Sequence, residues 1–332
     1  MKTKKIFVLF LTIILSFVAL AGCSKPAEQP EDLSETTIML DWAPNTNHTG
    51  LYVALEKGYF QAEGLDVSIV NPSSQGTLEQ LVATGNVDFG ISHQEQVTTA
   101  RISGLPVVSL AALIQHNTSG FASLKSKNIR SAKDFENKVY GGWDLPSETA
   151  ILTALMQKEN LDFSKLEMVN IGESDQLVAL ERDIDLTWIF YGWTGIQAEQ
   201  RNQELNMIWL KDVDPALDYY TPVLITSESM IEQKPDVIEK LMKAVSAGYE
   251  FAIANPEEAA DILIKHAPES DPEMIKQSQL WLSPQYKAEA DRWGEQKEVI
   301  WESYAQWLFE NELVPEKMES AKAFTNEFLP KD

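Results

Sequence analysis

The sequence predicts an α/β protein of two lobes, each a parallel-type sheet flanked by helices, joined by a two-segment hinge. Three observations carry that expectation. Strand-like runs alternate with helical runs from residue 36 to residue 227, the pattern of parallel strands with crossover helices. The pattern also repeats. Glu79-Gln80-Leu81-Val82-Ala83 is matched by Asp175-Gln176-Leu177-Val178-Ala179, and each is followed within six residues by an acid in a strand, Asp88 or Asp185. About 300 residues follow the N-terminal segment, enough for two lobes.

The first element is a leader. Lys2, Lys4 and Lys5 precede an apolar run from Ile6 to Leu20, short for a membrane span and suited to a signal peptide over residues 1–22. Leu20-Ala21-Gly22-Cys23 resembles a bacterial lipobox, which implies cleavage before Cys23 and lipid attachment to it. A plain signal peptide with a chance cysteine is the alternative. Two acyl chains hold a protein firmly to a membrane, since each buried methylene contributes about 0.8 kcal/mol. Cys23 is the only cysteine, so none remains for a disulfide or for thiol chemistry. Residues 23–35 are polar and contain prolines, and read as a lipidated tether.

Lobe 1 is expected over residues 36–118 and 222–332, and lobe 2 over residues 119–221. In lobe 1, "TTIMLDW" reads as a strand and "GLYVALEKGYF" as a helix closing at Gly58. "LDVSIV", "VDFGIS" and "VVSLAALI" read as strands, with helices "TLEQLVATG" and "EQVTTARISG" between them. In lobe 2, "YGGWD" ends a strand, "SETAILTALMQKEN" and "DQLVALE" are helices, and "EMVNI" and "DIDLTWIF" are strands. After "YYTPVLITS" the chain reads as helical, over Lys234–Ala254, over Pro256–His266 and over a Trp-rich stretch at 287–311.

Ligands of open α/β sheets sit beyond the carboxyl ends of the strands. Those ends, and the return crossing, read "DWAPNTNH", "SHQEQ", "QHNTSG", "GGWDLPSE", "FYGWTG" and "LDYYTP". They are rich in aromatics and amides, and contain no arginine. From them the candidate ligand-binding residues are Asp41, Trp42, Asn45, His48, His93, Gln115, Trp143, Glu148, Tyr191, Trp193, Tyr219 and Tyr220. The aromatics are able to stack on a flat ring, each offset pair adding about 0.5–1.5 kcal/mol beyond burial. Asp41 is able to accept from an exocyclic amine or a protonated ring nitrogen, worth about 1.5–3 kcal/mol, or else to cap a turn. Glu148 lies in the first turn of a helix, where capping through Ser147 is the other reading. Trp188, inside its strand, and Trp281, Trp293, Trp301 and Trp307, on C-terminal helices, are assigned to packing.

Other chemistries find little support. The formal charge of −23, or −26 without the three lysines of residues 1–22, opposes nucleic-acid binding. His48, His93, His116 and His266 are the whole histidine set, and none has a second at metal-ligand spacing. No nucleophile elbow, P-loop or dinucleotide fingerprint occurs. The reading therefore carries no cofactor, no metal and no catalytic residue.

The stretches "LDWAPNTNHTGLYVALEKGYFQAEGLDV", "GNVDFGIS" and "DYYTPVLIT" resemble the NMT1/THI5 family of periplasmic-binding-protein-like proteins. The Asp41-Trp42 pair with "YGWTG" and "DYYTP" is similar to its pyrimidine-binding branch, lipoproteins of bacterial ABC importers. The resemblance implies a hinged, two-lobed type II fold. It implies capture of N-formyl-4-amino-5-aminomethyl-2-methylpyrimidine, with Asp41, Trp42, His48 and Tyr191 in contact with it. It also implies a monomer at the extracytoplasmic face of the cell membrane, working with permease and ATPase subunits. The family's enzyme branch, a pyrimidine synthase, carries a pyridoxal-phosphate lysine where this chain has Ser92, and a cysteine-rich iron motif near "PALDYYTPVLI", where this chain has no cysteine. A riboflavin-like ring or an alkanesulfonate remains the other solute class, since fold does not fix ligand.

Overall fold

Aliphatic and aromatic runs bounded by turn residues give ten strands among the described residues of a computed structural model, which are 33–72, 76–172 and 174–331. The signal peptide, Cys23 and the tether up to residue 32 lie outside the described residues. From Ser34 onward the chain forms one unit containing two five-stranded sheets.

The first sheet comprises β1 (Ser34–Met39), β2 (Leu65–Val70), β3 (Phe89–Ser92), β4 (Val107–Ala112) and, far along the chain, β10 (Val223–Ser227), in the order β2-β1-β3-β10-β4. The second comprises β5 (Ser119–Leu124), β6 (Val139–Gly142), β7 (Glu167–Asn170), β8 (Leu186–Phe190) and β9 (Leu205–Trp209), in the order β7-β6-β8-β5-β9. The plan is the same in both. Three parallel strands are followed by one antiparallel strand, β10 or β5. That strand is the first one formed after the chain crosses from the other sheet. It enters at the end where the parallel strands finish, so it must run against them. Helix–strand alternation alone led to expect parallel strands throughout, and did not single out β5 or β9.

The repeated pentapeptide has a physical basis. Asp88 and Asp185 each stand just before the third parallel strand of their sheet. Asp88 Oδ2 accepts from Thr37 N–H at 2.9 Å, and Asp185 Oδ2 accepts from Val139 N–H at 3.0 Å. In each case the donor precedes the first residue of the ladder, Ile38 opposite Phe89 or Tyr140 opposite Leu186. The aspartate satisfies a backbone N–H that the ladder does not reach. The preceding helices are capped, Leu78–Ala83 by Thr77 and Gln176–Arg182 by Asp175.

Helices cover the sheets. Helix Thr49–Glu56 crosses helix Pro235–Ala254 so closely that a Cβ on Gly248 would lie 2.0 Å from the Gly50 carbonyl oxygen. Tyr249, next to it, stacks on Trp293 with centroids 4.3 Å apart. The Trp-rich stretch expected as one helix over 287–311 is helical only over Glu298–Glu310. Ala288 (φ +44°) and Gly294 (φ +85°) adopt left-handed backbone conformations before it, which end a right-handed helix. Trp293 therefore sits in a turn, buried like Trp301 and Trp307. Helix Glu298–Glu310 serves both sheets: Trp301 and Ala305 pack with Val107 and Val223, whereas Tyr304 and Trp307 pack with Phe121, Trp188 and Tyr219.

Candidate functional site

Beyond Leu40 the chain leaves β1 and turns through residues 41–48. Two asparagines build the turn. Asn45 accepts from Asn47 N–H at 2.9 Å through its side chain and donates its Nδ2 to Ala43 O at 3.0 Å. Asn45 N–H donates to His48 Nδ1 at 3.3 Å, which leaves the ring proton on Nε2. That Nε2 donates to Asp41 Oδ1 at 2.7 Å. The turn is fastened from outside by Tyr249, whose hydroxyl donates to Asn47 O at 2.6 Å, and by Tyr286, whose hydroxyl donates to Thr46 O at 2.5 Å. Most of the hydrogen-bonding side chains in this loop thus hold its own shape.

The loop after β3 meets the first one. His93 Nε2 lies 3.3 Å from the second carboxylate oxygen of Asp41, and His93 Nδ1 lies 2.9 Å from Thr221 Oγ1 on the crossing back from the second sheet. Two loops converge on one carboxylate, and a third segment, at Thr221, holds the histidine that the second loop supplies. Burial opposes the charge of Asp41, yet the imidazoles of His48 and His93 outweigh it and hold the carboxyl below the usual range. Burial likewise opposes the charge of His93, and Asp41 outweighs it, raising the imidazolium to about 9. Asp41 is thus neither a simple turn cap nor a carboxylate with both oxygens unengaged. His93 also reaches the second sheet, its ring stacked 6.1 Å from that of Phe190 at the end of β8.

Trp42 stands beside Asp41 with 53% of its surface exposed, the most exposed aromatic of the predicted set. It is the one whose ring face is most open to a partner.

On the second sheet, Glu148 is buried and accepts from Tyr140 Oη at 2.8 Å, Trp143 N–H at 2.9 Å and Leu145 N–H at 3.0 Å. Capping does occur, but through the backbone ahead of helix Pro146–Lys158 and without Ser147. Glu148 thereby shapes the loop that carries Trp143, which is half-buried. "YGWTG" forms a π-helical turn over Tyr191–Gly195, a geometry that concentrates at functional sites. Its last residue must be small, because a Cβ on Gly195 would lie 2.5 Å from the Tyr191 ring. The Tyr191 hydroxyl donates to Glu199, and its ring packs between Trp209 and Trp281 at 5.1 and 5.3 Å. Trp193 is half-buried against the core of the first sheet.

The remaining predicted residues are committed to the protein. Gln115 donates to Glu295 O at 3.0 Å. Tyr220 is buried, and its hydroxyl accepts from Lys297 N–H at 2.9 Å. Tyr219 is buried against Tyr304 at 4.5 Å, with its hydroxyl 3.5 Å from Glu95 Oε1. Sequence reasoning did not single out Thr221, Glu79 or Glu95. Glu79 is nearly buried and accepts from Ser92 Oγ at 2.5 Å. An acid two residues after a histidine, at a helix start, was the available signal for Glu95.

Among the described residues no group of three or more His, Cys, Asp or Glu is disposed to hold a metal ion. A cavity of about 930 Å³ lies along the edge strand β9, lined by Tyr191, Glu199, Asn206 and Trp209 among others. Tyr191 is the only predicted site residue on its wall. The cluster around Asp41 is the better candidate site, because it concentrates charged and polar groups at the carboxyl ends of the first sheet's strands and reaches Phe190 of the second.

The family model described as NMT1/THI5 like matches residues 45–259, more than half of the chain. The chain is 29% identical over 335 residues to a formylaminopyrimidine-binding protein of Halalkalibacterium halodurans, covering 98% of this chain and 99% of that protein. It is 22% identical over 302 residues to a 4-amino-5-hydroxymethyl-2-methylpyrimidine phosphate synthase of Legionella pneumophila, covering 90% and 93%. The solved structure of the alkanesulfonate-binding protein SsuA from Xanthomonas axonopodis pv. citri, bound to MOPS, matches with a TM-score of 0.65 at 11% identity, over 91% of this chain and 99% of that one. That likeness is one of fold, the two-sheet fold of periplasmic binding proteins.

Proposed function

The chain belongs to the NMT1/THI5-like family, and from that premise we propose that it is the substrate-binding lipoprotein of an ABC importer that captures N-formyl-4-amino-5-aminomethyl-2-methylpyrimidine. The observation that carries the reading is the open indole of Trp42 beside the half-buried Asp41–His93 pair. A flat ring is held by stacking, and its exocyclic nitrogen by the polar cluster. The full-length relation to a protein named for binding a formylaminopyrimidine supports the same class. Within this proposal residues 36–118 and 222–332 form one lobe and 119–221 the other, Cys23 carries the lipid at the extracytoplasmic face, and permease and ATPase subunits receive the ligand.

Two other readings fit less well. An alkanesulfonate calls for guanidinium groups, and the six pocket loops hold none. A synthase calls for a Schiff-base lysine where Ser92 stands, and the Ser92 hydroxyl is tied to Glu79.

Binding to the folded form raises the melting temperature by mass action. At matched concentration the formylated aminopyrimidine is expected to raise it, and thiamine, with its second ring, to raise it less. A shift with thiamine that equals or exceeds the first, in a thermal melt, refutes the ligand assignment.

A further inference from the structure

Glu95 is the second residue of helix Gln94–Ile102 and is only 6% exposed. An acid in a first helical turn is usually served by water at the surface. Here Oε1 has only the long contact with Tyr219 Oη at 3.5 Å, and Oε2 has no hydrogen-bond partner among the described residues. A buried carboxyl group left so poorly paired costs free energy, and the fold shows no return for it. The groups that face it are His93 from its own loop, Glu79 from helix Leu78–Ala83, Tyr219 from the return crossing and Tyr304 from helix Glu298–Glu310. The second sheet contributes a similar orphan. Trp188 shares a core cluster with Tyr219, is 6% exposed, and its Nε1 has no partner among the described residues.

We propose that Glu95 determines specificity by pairing with the edge of an aminopyrimidine, one oxygen donating a proton to the ring nitrogen and the other accepting from the adjacent amine. The inference rests on the aminopyrimidine reading given above. The pairing requires the neutral acid, because a carboxylate offers acceptors only. Burial, with Glu79 adding to it, pushes the Glu95 carboxyl up, and His93, the residue's own backbone N–H and Tyr219 only partly offset this. A neutral carboxyl and an aminopyrimidine edge each present one donor and one acceptor side by side, so the partnerless Oε2 and the weakly held Oε1 are satisfied at once. A ring without the amine leaves one of them unpaired, which is how a buried polar group rejects a near-isostere.

The test is calorimetric titration of wild type, Glu95→Gln and Glu95→Ala with two probes: the formylated aminopyrimidine, and the same pyrimidine with hydrogen in place of the 4-amino group. Wild type is expected to prefer the amino compound by about 10- to 100-fold. Glu95→Ala loses most of that preference. Glu95→Gln keeps it within about fivefold, because an amide also offers a donor beside an acceptor. Apo melting curves of both variants report folding separately. If wild type binds the amino compound and folded Glu95→Ala retains the full preference, the role of Glu95 is overturned while the ligand assignment stands. If Glu95→Gln is as damaging as Glu95→Ala, the neutral-acid pairing is overturned. If wild type binds neither probe, the ligand assignment falls and this inference falls with it.

Discussion

Asp41 is held by two imidazoles, so a substitution there acts through His93 as well as through any ligand. With Asp41→Asn the amide turns one oxygen into an N–H, which faces an imidazole N–H on one side. His93 then loses the partner that keeps it charged, and burial favours its neutral form. The expected outcome is a His93 that titrates well below about 9 in the variant, followed by NMR of the imidazole protons. The sign for stability follows. A histidine whose folded pKa rises from 6.5 to about 9 contributes stability that is complete below 6.5 and is lost as pH climbs through 9. For a side chain still 23% exposed the contribution is about 2 kcal/mol. Apo melting temperatures of wild type should therefore fall between pH 6.5 and 9 more than those of Asp41→Asn. Parallel curves would mean that the ion pair contributes nothing. The membership of this cluster was legible loop by loop, because Asp41, His48 and His93 each stood at a strand end. Their contact was not, because it depends on the turn through 41–48 closing on itself and on the loop after β3 meeting it in space. For the same reason Asn45 and Glu148 read as pocket residues although their hydrogen bonds are spent on the loops themselves.

The parallel elements were legible because their apolar periods and caps are local. β5 and β9 were not. β5 reads "SGFASL" and β9 reads "LNMIW", with too little alternation to mark them, and the reversed direction of β5 depends on where the chain enters the sheet. The π-helical turn at Tyr191 was equally hidden, since it depends on the ring lying over Gly195. The repeat is the case in which a sequence similarity carried a structural rule. Asp88→Ala removes the acceptor for Thr37 N–H at the start of the first ladder, and Asp185→Ala does the same for Val139 N–H in the second. Each is expected to lower stability by about 1–2 kcal/mol, the range for a hydrogen bond to a charged group at a half-buried site. Denaturant unfolding should show both losses at similar size, with ligand affinity unchanged. A loss confined to one of them would mean that the two sheets do not share this fastening.

For the whole molecule the question is how two sheets close on one ligand. Two segments cross between them, and the crossings are tied to each other. Asp218 Oδ1 accepts from Asn117 N–H at 2.9 Å, Asn117 Nδ2 donates to Leu217 O at 2.9 Å, and Asp218 Oδ2 lies 2.7 Å from His116 Nδ1. His116 also reaches Glu289 at 2.9 Å. The two carboxylates outweigh burial and raise His116 to about 9, so at neutral pH it is charged and the tie is intact. Helix Glu298–Glu310 adds a second restraint, because its opposite faces pack on the two cores. A change in lobe angle must then be a bend about the tied crossings, with side chains of that helix sliding on one core, and not a local unfolding. A ligand that touches both sheets stabilises whichever angle brings Trp42 and His93 nearest to the loops of β6 and β8. Small-angle scattering should therefore show compaction on adding the aminopyrimidine at pH 7. Far-ultraviolet circular dichroism should stay constant, since a bend breaks no helix. Proven binding with an unchanged scattering profile would leave the sheets as one rigid body. Compaction with altered dichroism would replace the bend with an ordering of the C-terminal helix.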